Sequence, residues 1–185
     1  MKGRKDKKAK KTNRRNMGAV AGIVALAGCV SNIDDPKNAQ FRGSAFDQAL
    51  ARDYEVYVDR QVAQDNWHYA DYFAKKGLLA SSGTAVPPEE VSKWNIPANK
   101  QQSMNDYRKR LLAALDSGAR TGRPQAAARA QVSFDCWLQK LEENNIVETH
   151  AWIAGSDTVV ATPNQYAVAA CKADFLTQLA KAEAK

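Results

Sequence analysis

Ala128-Arg129-Ala130-Gln131-Val132-Ser133-Phe134-Asp135-Cys136-Trp137 reads as the middle of an amphipathic helix. Ala130, Phe134, Trp137 and Leu141 recur at steps of four, three and four, the period that lines side chains along one face of an α-helix. The surrounding alanines favour a helical backbone, and the pattern fades at Asn144-Asn145. Gly122 and Pro124 mark its start, since proline is tolerated at the first helical position. A single apolar stripe must be covered by others, and these lie on both sides of it.

Upstream, Ser44 with Asp47 three residues later predicts an N-cap, followed by Phe46, Leu50, Tyr54, Tyr57 and Val58 on one face. A second helix is expected after Asp65-Asn66, with Trp67, Ala70, Phe73, Gly77 and Leu78 turned inward. It should end at Ser81-Ser82-Gly83, before Pro87-Pro88. The connection from Pro88 to Pro97 has room for a helical turn or two, with Trp94 plugging it onto the domain. A third helix is expected from about Lys100 to Ser117, stopped by Gly118, with Met104, Tyr107, Leu111 and Leu115 in line. The last begins at Thr162-Pro163 and carries Val168, Cys171, Phe175 and Leu179. Between residues 146 and 161, Ile146-Val147, Trp152-Ile153 and Val159-Val160 favour β structure around Gly155-Ser156-Asp157, so a short hairpin or a packed irregular loop is expected. The fold class is therefore mainly α: a small bundle of four to five helices in consecutive αα-hairpins, with one inter-helix disulfide.

The amino terminus has a different character. Met1 to Asn16 is strongly basic, Met17 to Ala25 is uncharged, and Leu26-Ala27-Gly28-Cys29 follows. This order is that of a secretory signal peptide, and the cysteine after Leu-Ala-Gly resembles the lipobox of bacterial lipoproteins. The resemblance implies cleavage between Gly28 and Cys29, and lipid on Cys29. The alternatives are an ordinary signal peptide with an incidental cysteine, or a buried helix. The apolar run falls well short of the ~20 residues that span a bilayer. Arg14-Arg15 lacks the bulky apolar residues that complete a twin-arginine motif, so the general secretory route is expected. The domain reading is residues 1–28 as lipoprotein signal peptide, 29–43 as a polar tether and 44–185 as one helical domain.

Charge and cysteine usage follow from that division. The formal charge of +7 rests on nine basic residues before Met17, against Asp6 alone, so removing that +8 leaves −1. A binding surface for nucleic acid thereby loses its support. Of three cysteines, Cys29 is expected to carry lipid. Cys136 and Cys171 are then left in an oxidising compartment, where thiols commonly pair. Two separate buried thiols are the alternative. The cysteines and the two histidines show no metal-ligand spacing.

From Ala45 onward the chain is similar to the amino-terminal helical domain of many alphaproteobacterial OmpA-type lipoproteins. The similarity rests on Ala45–Tyr54, Asp71–Leu78, Val86–Glu89, Trp94–Ala98, Leu112–Asp116, Ala128–Trp137, Glu142–Asn144 and Ala169–Lys172, taken in order. It implies an outer-membrane lipoprotein facing the periplasm, with Cys136 and Cys171 as a structural pair. It names no reaction. The carboxy-terminal peptidoglycan-binding domain of that family has no counterpart before Lys185, so murein binding is not expected.

No catalytic constellation is legible, and no cofactor is expected. His68 and His150 are widely separated and read as surface or packing residues. Asp71 and Asp135 read as solvated or capping carboxylates, and Glu142-Glu143 as an ordinary polar face. Trp67, Tyr69, Tyr72 and Phe73 crowd one helix, either as an exposed partner patch or packed beneath the proline-rich connection. The functional expectation is a non-catalytic envelope interaction or scaffold module, held to the membrane by its lipid and bound to another envelope protein. The alternatives are an accessory subunit of a membrane-bound respiratory or secretion complex, or an enzyme or small-ligand binder with a site near His68. Sorting to the outer membrane is expected because Val30, and not aspartate, follows Cys29.

Cys29→Ser is expected to yield a soluble or uncleaved precursor. Lipoprotein acyl chains each contribute ~0.8 kcal/mol per buried methylene, and more than one chain is needed for stable anchoring. Labelled palmitate entering the wild type and the variant equally would sink this reading.

Overall fold

A computed structural model describes residues 41–153 and 163–184. The expected signal segment with Leu26, Ala27, Gly28 and Cys29 lies outside the described residues, as do the tether up to residue 40, Thr162 and the side chain of His150. Five helices make up most of the rest: α1 (Ala45–Val62), α2 (Trp67–Ser81), α3 (Ala98–Ala114), α4 (Pro124–Ile153) and α5 (Pro163–Glu183). No strand is present among the described residues.

Helix α1 begins with a reciprocal capping box. The Asp47 N–H donates to Ser44 Oγ at 3.2 Å, and the Ser44 N–H donates to Asp47 Oδ2 at 2.9 Å. The expected stripe of Phe46, Leu50, Tyr54, Tyr57 and Val58 is buried throughout. Helix α2 returns antiparallel after the turn at Asp65, whose φ of 55° is left-handed. The domain starts earlier than Ser44: the Arg42 N–H donates to Ser81 O at 2.6 Å, and the Arg52 guanidinium lies 4.8 Å from the Phe41 ring centre. Gly43 and Gly83 make this seam possible. A Cβ on Gly43 would meet Gly83 Cα at 2.7 Å, and both residues have positive φ.

The regular turns of α3 are broken at the expected Gly118, whose backbone is not helical. A wide turn, Leu115–Ala119, carries the chain through Gly118 at φ 106° into a further short turn, Arg120–Gly122. Leu115 and Ala119 are thereby kept in the core while the chain swings round to Pro124.

Helix α4 is the axis of the fold. It packs against α1 on one side and α5 on the other, with α3 across them. Every residue from Ala130 to Leu141 is buried. The apolar stripe seen in the sequence was thus only one of its covered faces. The helix also continues past Asn145 to Ile153, so Ile146-Val147 and Trp152-Ile153 are helical and not arms of a hairpin; residues 154–161 lie outside the described residues. Intrinsic strand preference spans only ~1 kcal/mol, and extending a helix already nucleated adds one hydrogen bond per residue. Asn145 Nδ2 also holds this turn to Asn95 O at 3.0 Å.

Two ring clusters fill the core. Tyr54, Tyr57 and Phe73 meet Trp94 on one side of α4, and Tyr107, Phe134, Trp137 and Phe175 meet on the other. Cys136 and Cys171 sit at the rim of the second cluster at disulfide distance, with Cα atoms 5.8 Å apart.

The fully buried side chains of α5, Phe175, Leu179 and Ala182, all follow Cys171, whereas Tyr166 is 78% exposed. Cys136→Ser is therefore expected to cost about 2–4 kcal/mol and to raise amide exchange mainly in the first half of α5. Exchange that rises evenly over all five helices, or nowhere, would contradict this packing.

Candidate functional site

The segment Ala85 to Pro97 crosses α2 and α4 as a strap, with the three-residue turn Val91–Lys93 near its end. Pro87 and Pro88 lack N–H groups and hold the backbone extended. The carbonyls of such a buried segment need donors, and three helices supply them. Gln131 Nε2 donates to Val86 O at 2.8 Å, and Lys76 Nζ to Pro87 O at 3.3 Å. Arg108 donates through Nη2 to Pro88 O at 3.1 Å and through Nε to Glu89 O at 2.7 Å. The Glu89 N–H in turn donates to Asp135 Oδ1 at 2.8 Å.

Beneath the strap lies a charge cluster. Lys76 Nζ bridges Glu89 Oε1 and Asp135 Oδ2, the latter at 2.7 Å. Tyr54 donates its hydroxyl to the same Asp135 oxygen at 2.6 Å. Glu89 Oε2 accepts from Tyr72 at 2.9 Å and from the Trp94 indole at 3.1 Å. Asp135 is wholly buried, and the expectation of a solvated or capping carboxylate is wrong there. Burial pushes its carboxyl above the usual range, opposed by Lys76 and reinforced by Glu89. Burial also acts to raise Glu89, but Lys76 and the Trp94 and Tyr72 donors outweigh it and hold that carboxyl low. Lys76 is penalised by burial, and the two carboxylates more than reverse this and keep it charged. Burial, then Glu89, pushes the Tyr72 hydroxyl up to about 12.

Glu142 and Glu143 are not an ordinary polar face either. Glu142 accepts from the Tyr69 hydroxyl and from the Asn95 N–H, each at 2.7 Å. Glu143 accepts from Asn66, from Gln139 and from Lys140, the last at 2.9 Å. Asp71 does match its expectation, pairing with Lys75 one turn on, on the surface.

The aromatic group divides. Phe73 is fully buried and stacks on Trp94 with ring centres 6.2 Å apart. Tyr69 stacks on the other part of the Trp94 plug at 6.0 Å, and Tyr72 meets it edge-on at 5.9 Å. Trp67, expected on the inward face, is 54% exposed. A patch of four exposed rings is therefore not formed. His68 is exposed, touches Tyr69 edge-on, and lines neither the cleft beside Leu79 nor those beside Arg129. Among the described residues no three His, Cys, Asp or Glu side chains group as metal ligands.

A second polar crossing joins α1, α4 and α5. Arg129 of α4 donates through Nε to Asp174 of α5 at 2.7 Å and reaches Asp53 of α1 at 3.5 Å, while Ser133 Oγ donates to Asp174 at 2.6 Å. Two open clefts flank this bridge, of about 210 and about 420 Å³. Sequence reasoning missed the ion pairs of Lys76, Glu89, Asp135 and Arg129 because partners 13 to 76 residues apart leave no periodic signal. The one clue was local: Pro87-Pro88 requires outside donors wherever it is buried. No protein-family model, curated protein or solved structure matches this chain.

Lys76→Met is expected to cost about 3–5 kcal/mol at pH 7, because two buried carboxylates lose their counter-charge. In the wild type the lowered Glu89 contributes stability at neutral pH that is lost as pH falls through its folded pKa; the raised Asp135 runs the other way. Without the lysine both carboxyls sit above their unfolded values, so stability is lost as pH rises. Urea unfolding at pH 7 and pH 4.5 should show the variant's penalty shrinking in acid. A penalty that holds or grows there would show that Lys76 does not compensate the pair.

Proposed function

We propose that this chain is an outer-membrane lipoprotein whose helical domain faces the periplasm and acts as a non-catalytic interaction module. The observation that carries the reading is the conjunction of Leu26-Ala27-Gly28-Cys29 with the two remaining cysteines, Cys136 and Cys171, at disulfide distance between two helices. Paired cysteines belong to oxidising compartments, and the lipobox-like stretch independently directs the chain to one. The similarity to the helical domain of OmpA-type lipoproteins supports the same address.

The polar chemistry fits a scaffold better than an enzyme. A catalytic lysine or carboxylate needs access to a reacting group. Asp135 is wholly buried, and Lys76 and Glu89, although they line the cleft beside Leu79, have their donors and acceptors turned on one another, on Asp135 and on the strap backbone. No helix among the described residues is long and apolar enough to cross a membrane, which is compatible with anchoring by lipid.

In intact cells treated with a short amine crosslinker, the protein is expected to run as a discrete complex larger than the monomer, and to fractionate with the outer membrane in a Cys29-dependent manner. Recovery as a monomer from crosslinked envelopes would remove the interaction reading. Fractionation independent of Cys29 would remove the anchor.

A further inference from the structure

The groove crossed by Arg129 has features that nothing in the strap network explains. Its two walls repeat at the same interval. On α1, Arg52, Val56 and Arg60 follow one another at four-residue steps; on α5, Ala170, Asp174 and Gln178 do the same. The floor is α4, through Ala126, Arg129, Val132 and Cys136. Four residues along a helix advance about 6 Å, so Arg52 to Arg60 covers about 12 Å. Rows at that interval are the ones that interdigitate with the side-chain ridges of another helix. Val56 is 44% exposed on this wall, an apolar residue left open between two arginines.

The charges are unequal. Asp53 and Asp174 share the single Arg129, and with Arg52 and Arg60 the groove carries three guanidinium groups against these two carboxylates. Arg52 rests on Phe41, and Arg60 is exposed, with its charge also acting on Asp53. The α1 wall thus carries two exposed guanidinium groups two helical turns apart, while both carboxylates of the groove are engaged.

We infer that this groove docks an acidic amphipathic helix of another envelope protein. Small apolar side chains of that helix would lie over Val56, Ala126, Val132 and Ala170. Two of its carboxylates, seven or eight residues apart, would pair with Arg52 and Arg60. Helix-in-groove recognition of this kind takes its affinity from the apolar seam and its register from the flanking charges. The inference rests on the interaction-module reading and adds the surface and the chemistry of the partner.

The test uses the full-length, lipidated protein in cells, with a photo-crosslinking amino acid at Val56 and, in a separate strain, at Leu79. Leu79 is 49% exposed on α2, in a different cleft. The expected result is an adduct from Val56 whose partner peptide, identified by mass spectrometry, carries acidic residues seven or eight apart. Arg52→Glu with Arg60→Glu should reduce that adduct at least tenfold, and lysines at the two partner acids should restore it. Arg52→Gln with Arg60→Gln, which adds no repulsion to the fold, should weaken it by a smaller factor. Thermal unfolding of each variant should stay close to that of the wild type.

Adducts from Leu79 but not Val56 would leave the module reading standing and overturn the groove. Adducts to a second copy of this chain, or to lipid alone, would overturn the acidic partner. A Val56 adduct indifferent to both arginine variants would do the same. No adduct from either position, with monomeric protein, would remove the module reading itself.

Discussion

Lys76, held between Glu89 and Asp135, is the interaction on which the rest of the fold depends. It joins α2, the strap and α4 at one atom, Nζ, which also reaches the Pro87 carbonyl. A proline-rich segment laid over a helical layer brings carbonyls with no N–H groups beside them, and such a segment cannot pair with itself. Side chains from α2, α3 and α4 supply what the backbone lacks. Their cost is burial of charge, and that explains why the cluster is so fully connected: a carboxylate in this position with one partner missing is several kcal/mol worse than one with all of them.

Net stability is a poor account of such a cluster, since well-packed apolar residues often do as well. Geometry is a better one. The Asp135 carboxylate finds Tyr54, Lys76 and the Glu89 N–H together in a single arrangement of α1, α2 and the strap. A slip of any of these by one residue leaves a buried charge unpaired. Alanines and rings alone tolerate more than one packing, so the charges select one among them. Trp94 then closes the strap over Phe73, Tyr69 and Tyr72, with its indole N–H tied to Glu89.

The two polar systems differ in what they leave over. Under the strap, the charged groups and the backbone carbonyls close on one another, with the buried Gln131 Oε1 left over, and the region reads as architecture. In the groove between α1 and α5, the central arginine is shared by two carboxylates, while Arg52 and Arg60 stay exposed on the outer wall. The asymmetry arises because α4 is covered on its other sides by α3, the strap and α2-side residues, while α1 and α5 are joined over it mainly through one side chain, Arg129.

What the sequence determined by itself was local. Ser44 with Asp47 set the start of α1, Pro124 and Pro163 set the starts of α4 and α5, and the apolar steps of three and four identified each core stripe, because capping and periodicity act within a few residues. The strap and its Trp94 plug were legible for the same reason. What only the tertiary structure decided was which polar residues go inside. Asp135, Gln131, Gln139 and Lys140 lie between the apolar positions of α4, and periodicity assigns them to solvent. They are buried because α4 is surrounded, a property of its neighbours and not of its own pattern. Likewise Trp67 lies outside and Ile146 continues a helix, since burial and backbone state at those positions depend on what the rest of the chain places beside them.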